Sequence, residues 1–130
     1  KSPRRFDMPA DFMQWHPTCH HRDALTLADT FLDTIDSPFQ HPLFYIWGHA
    51  FEFRTEADWD YMEKVLQKVS GLDNVWYATN VEIYDYVQAS RRLTVSADET
   101  IFRNPSDTDV WVERNNTEIL CIPAGKTVTL

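Results

Sequence analysis

Up to about residue 93 the apolar positions recur with the spacing of helices and of short buried strands. Beyond it they fall in brief segments cut by turns. Asp23–Ile35 predicts a helix, with Leu25, Ala28, Phe31, Leu32 and Ile35 on one face and Asp29 and Asp33 on another. Ser37-Pro38 ends that pattern. Leu43-Phe44-Tyr45-Ile46-Trp47 is a continuous apolar run closed by Gly48. It predicts a strand buried on both faces, as in parallel sheets. Thr55 then caps a helix with acids in its first turn, a buried stripe of Trp59, Met62, Val65, Leu66 and Val69, and a stop at Gly71. Val75–Ala78 predicts a second buried strand. Thr79-Asn80-Val81-Glu82 is a capping box, opening a helix that runs to about Leu93 and buries Val81, Ile83, Tyr84 and Val87. The order strand, helix, strand, helix over 42–93 argues for parallel α/β units.

After Leu93 the strand candidates are Leu93–Ala97, Thr100–Arg103, Val110–Glu113, Glu118–Ile122 and Thr127–Leu130. Asn104-Pro105-Ser106-Asp107, Asn115-Asn116 and Pro123-Ala124-Gly125 separate them. The expected organisation is an α/β part over 1–94 and an antiparallel β extension over 95–130. Lys1–Pro17, with three prolines, reads as an extended or looping lead-in.

Charge narrows the partners. The net charge is −8, and the basic residues are scattered except for Arg4–Arg5 and Arg91–Arg92. Neutralising a phosphate backbone needs a clustered basic face, so nucleic acid is excluded as a partner. No apolar run approaches the roughly 20 residues of a membrane helix. Cys19 and Cys121 form no disulfide framework. Two thiols and no signal-peptide pattern point to the cytoplasm. Five Trp, five Tyr and eight Phe supply core, and also flat rings of the kind that stack on sugars.

The histidines are His16, His20, His21, His41 and His49. His16, Cys19, His20 and His21 crowd one short stretch, and His16-x-x-Cys19 is a spacing that can chelate. A structural zinc site needs a second pair, and no CxxC follows. His49 lies just past the end of the predicted strand Leu43–Trp47, where parallel α/β folds place ligands. A histidine there can act as general acid or base, with Glu52 to orient or tune it. Asn80 occupies the equivalent point after Val75–Ala78.

Three segments, Trp15–His21, Leu43–Phe53 and Val75–Tyr86, resemble the C-terminal half of polysaccharide deacetylases of the NodB-homology type. The similarity covers about residues 6–95. The resemblance implies part of an irregular (β/α) barrel followed by the β extension. It implies hydrolysis of N- or O-acetyl groups on a polysaccharide or oligosaccharide with a divalent metal, zinc or similar. It puts His49 in the general-acid position. It makes Trp15, His16, Cys19, His20, Trp47 and Asn80 candidates for the substrate groove.

The family's early Asp-Asp motif, its His-x-x-x-His metal motif and an arginine motif belong N-terminal to the aligned part, with Arg4 or Arg5 as a remnant of the last. The chain opens on Lys1, and the catalytic metal is expected on a segment outside it, with no metal held by this chain's own residues. The expectation is a fragment inactive alone, partnered by that segment or self-associated through an open sheet edge. The competing expectations are a non-catalytic glycan-binding module and a small metal-binding protein built on His16, Cys19, His20 and His21.

Overall fold

A computed structural model describes residues 6–37, 41–115 and 117–130. Arg4–Arg5, Pro38 and Asn116 lie outside the described residues. The chain divides into two compact units, Lys1–Trp76 and Tyr77–Leu130. The division precedes the expected boundary at 94/95, so the third long helix belongs with the β segments.

In the first unit, β1 (Cys19–His20) and β2 (Ile46–Trp47) pair in parallel, Cys19 against Ile46 and His20 against Trp47. Helix α1 (Ala24–Leu32) lies between them in the chain, as a parallel crossover requires. The predicted strand Leu43–Trp47 is thus regular only over its last two residues. The segment before it is held by Thr18 instead, whose Oγ1 donates to the Leu43 carbonyl (3.1 Å) and accepts from the Tyr45 amide (3.0 Å). The predicted strand Val75–Ala78 does not form. The Val75 amide donates instead to the Leu72 carbonyl (3.2 Å) in a local turn.

Helix α2 (Glu56–Val69) begins where expected, with the Thr55 hydroxyl accepting from the Asp58 amide. Its buried stripe is narrower than predicted. Val65 is fully buried, but Trp59 is 58 % and Leu66 53 % exposed. Tyr61 makes the contact instead: its hydroxyl accepts from the Leu25 amide (3.1 Å) and donates to the Arg22 carbonyl (2.8 Å). Lys68 pairs with Asp29 farther along the two helices. The core gathers Cys19, Ala24, Leu27 and Val65, with Phe44, Ile46 and Met62 against them. Cys19 is 7 % exposed. It therefore packs in the core of the first unit.

In the second unit, α3 (Asn80–Arg91) starts at the predicted Thr79/Glu82 capping box. Ile83 is buried on it, whereas Val81 is 62 % and Tyr84 43 % exposed. All five predicted β segments form. β3 (Thr94–Val95), β4 (Ile101–Arg103) and β7 (Thr127–Thr129) make one antiparallel sheet; β5 (Val110–Arg114) and β6 (Glu118–Ile122) make a hairpin. Asn104 is fully buried. Its Nδ2 donates to the Thr108 and Ile122 carbonyls (2.8 Å each), and its Oδ1 accepts from the Ser106 amide (3.0 Å) and hydroxyl (2.6 Å). Both amide protons and both lone pairs are used, so burial costs this side chain little. The strands form no closed barrel among the described residues.

Candidate functional site

The chemistry-bearing side chains of the first unit collect at the carboxyl ends of β1 and β2. Successive strand residues alternate sides, so His20 and His21 would diverge if β1 continued. A short 3-10 turn, His21–Asp23, begins at the second of them. Their rings lie together, centroids 4.2 Å apart. After β2, Gly48 and His49 lead into a second 3-10 turn, Ala50–Glu52. That turn brings the Glu52 carboxylate back over both strand ends.

Glu52 is the centre of the arrangement. Its Oε2 accepts from the His49 amide (3.0 Å), and lies 2.9 Å from His20 Nε2 and 3.3 Å from His49 Nδ1. His21 Nδ1 is 3.8 Å away, too far for a hydrogen bond. The other oxygen, Oε1, accepts from Arg22 Nη2 at 3.1 Å. Burial pushes the Glu52 carboxyl upward. The His49 amide and the His20 and His49 imidazoles outweigh it and hold the group down to about 2. An ionised carboxylate only accepts, so the protons sit on His20 Nε2 and His49 Nδ1. His20 Nδ1 then accepts from the Arg22 amide (3.4 Å).

His21 is buried, at 7 % exposure, and its Nδ1 has no hydrogen-bond partner. Burial, followed by the charge of His20, pushes its pKa down, so the ring is held neutral. Gly48 makes room for it: a Cβ at that position would lie 2.1 Å from His21 Nδ1. Aromatic rings frame the group. Trp47 meets His20 and His49 edge-on (5.1 and 5.3 Å), His49 stacks on Phe51 (4.8 Å), and His21 stacks on Phe53 (4.7 Å).

The structure thus brings together His20, Trp47 and His49 of the residues singled out in the sequence. Trp15 is half-buried against Phe12 and Tyr45, and His16 is exposed. His16 and His20 have the spacing His-x-x-x-His. On a helix it would align them, but this segment is not helical, and only His20 reaches Glu52. Asn80 is the first residue of α3 in the second unit and is exposed. The central place of Glu52 is what sequence reasoning missed; His21 was singled out only with His16, Cys19 and His20, and not as a neighbour of Glu52. The signal was the adjacency of His20 and His21 beside a strand end, but their meeting with Glu52 depends on the parallel register. Among the described residues, His20, His21 and Glu52 form a group whose ligand atoms lie mutually within 4.8 Å; His16 and Cys19 are not members. The Asp-Asp motif that the resemblance implies for the catalytic metal is absent from the sequence. The residues present therefore do not fit that metal's ligand set.

No family model, curated protein or solved structure matches the chain.

Proposed function

We propose that the chain is the acid-supplying, glycan-facing part of a metal-dependent carbohydrate deacetylase, acting on N- or O-acetyl groups of a polysaccharide. The observation that carries this reading is the His49–Glu52 pair at the carboxyl end of a strand in a parallel β-α-β unit. With its Nδ1 proton on Glu52, His49 has Nε2 available to carry a second proton. A leaving amine or alkoxide can take that proton from it, while the Glu52 carboxylate orients the ring. The ring is half-exposed, as a group that meets substrate must be. Trp47, 45 % exposed beside it, offers a face to a pyranose ring. The metal that polarises the carbonyl and activates water in such hydrolysis belongs, on this reading, to ligands on an N-terminal segment that pairs with the first unit.

Glycan binding is testable on the chain itself. Calorimetric titration with an N-acetylated chitooligosaccharide is expected to saturate, and Trp47→Ala to weaken it by about 10-fold. Unchanged affinity in that variant, or no binding at millimolar sugar, would count against a groove at this site. No helix among the described residues is long and apolar enough to cross a membrane.

A further inference from the structure

We propose that His20, His21 and Glu52 form a divalent-cation site of the zinc class, closed by His20 Nε2, His21 Nδ1 and Glu52 Oε2. Two observations carry it independently. The first is the convergence itself. In a tetrahedral zinc site with bonds of about 2.0–2.1 Å, ligand atoms sit about 3.3 Å from one another. The two imidazole nitrogens lie 2.9 and 3.8 Å from Glu52 Oε2, on either side of that spacing. The second is the unpartnered Nδ1 of His21. A buried nitrogen without a hydrogen bond is costly, and this one faces a carboxylate that it is too far away to bond. A cation between them satisfies it.

The chemistry of the set agrees. Two imidazoles and one carboxylate are borderline donors that suit zinc and its neighbours, and three protein ligands leave a fourth position to water. Binding requires His20 to present Nε2 without its proton. A ring with its proton on Nδ1 does so, giving up the long bond from the Arg22 amide. Arg22 is bonded to the other oxygen, Oε1, and its guanidinium is 70 % exposed, so it need not leave. Gly48 is the structural condition of the site, since any side chain there would occupy the space beside His21 Nδ1. The ligands differ from the His16-x-x-Cys19 pair that the sequence offers: the first turn after β1, not the segment before it, provides the second imidazole. The site does not depend on the deacetylase reading, and no step of the hydrolysis is assigned to it.

The test is titration of the metal-stripped chain with zinc sulfate, together with the visible spectrum of its cobalt(II) form. One equivalent is expected to bind. The cobalt spectrum should show nitrogen and oxygen ligation without thiolate charge transfer. His20→Ala and Glu52→Gln should each weaken binding by at least about 100-fold, and His41→Ala should leave it unchanged. His21 is buried and its replacement could unfold the unit, so the partly exposed His20 and the isosteric Glu52→Gln decide the matter, with circular dichroism confirming their fold. The proposal is overturned by the absence of saturable binding. It is equally overturned by wild-type affinity in both variants, by a thiolate band, or by loss of binding on His16→Ala with Glu52→Gln intact.

Discussion

A methyl group at position 48 would sit 2.1 Å from a buried imidazole nitrogen. His21 cannot retreat easily, because its ring is stacked on Phe53. Gly48→Ala should therefore destabilise the first unit by about 1–3 kcal/mol, as overpacking does. Urea unfolding followed by tryptophan fluorescence reads this directly, and an unchanged midpoint would show that His21 is not wedged there. Asn104 is the counterpart in the second unit. Removing its amide with Asn104→Ala takes a donor from the Thr108 and Ile122 carbonyls and an acceptor from the Ser106 amide and hydroxyl, of which the Ser106 hydroxyl and the Thr108 carbonyl keep each other. The expected cost is about 3 kcal/mol, and a loss under 1 kcal/mol would contradict the role given to it. Neither residue announces itself in the sequence. Asn104-Pro105-Ser106-Asp107 reads as a turn, which it is, but a turn signal does not say that its first side chain is buried. Glu52 was legible as a partner of His49, three residues away, and not as a partner of His20, thirty-two residues away.

At the scale of elements, what was legible was local. The Thr55 and Thr79 caps, the Gly71 stop and all five β segments after Leu93 follow from nearest-neighbour chemistry, and they stand where the pattern put them. What depended on a distant partner was not legible. Val75–Ala78 forms no strand, and the predicted stripe of α2 is buried at Val65 while Trp59 and Leu66 are more than half exposed. The capping boxes make a prediction about pH. The Thr79 hydroxyl, then its amide, holds the Glu82 carboxyl below its usual 4.5. A group lowered by folding stabilises the fold fully above its unfolded value, and that stabilisation is lost as the pH falls through and below it. Helix α3 should therefore weaken as the pH drops below about 4.5. Glu82→Gln should flatten that limb of a thermal-melt series, and Thr79→Ala should cost about 1 kcal/mol at neutral pH. A melt series identical in wild type and Glu82→Gln would mean that the box does not couple to folding.

At the scale of the whole molecule, the pattern predicted an α/β part joined to a β extension. The structure has one parallel β-α-β unit and, after Trp76, a separate compact unit in which α3 joins the β segments. The boundary escaped the sequence because helix α3 continues the α/β rhythm while its packing does not. The proposed site lies wholly in the first unit, at the strand ends where the parallel register sets His20 beside Trp47. The central claim is that His49 is a general acid in acetyl-group hydrolysis. The most direct test supplies what the reading places elsewhere: a chimera in which the N-terminal half of a polysaccharide deacetylase, with its Asp-Asp and His-x-x-x-His motifs, precedes residues 6–130. Acetate release from an N-acetylated chitooligosaccharide is measured with and without His49→Ala. The account predicts turnover in the chimera and a fall in kcat of about 100-fold or more in the variant, with KM little changed. Turnover undiminished by His49→Ala, or glycan binding without any acetate release from the folded, metal-loaded chimera, would contradict it.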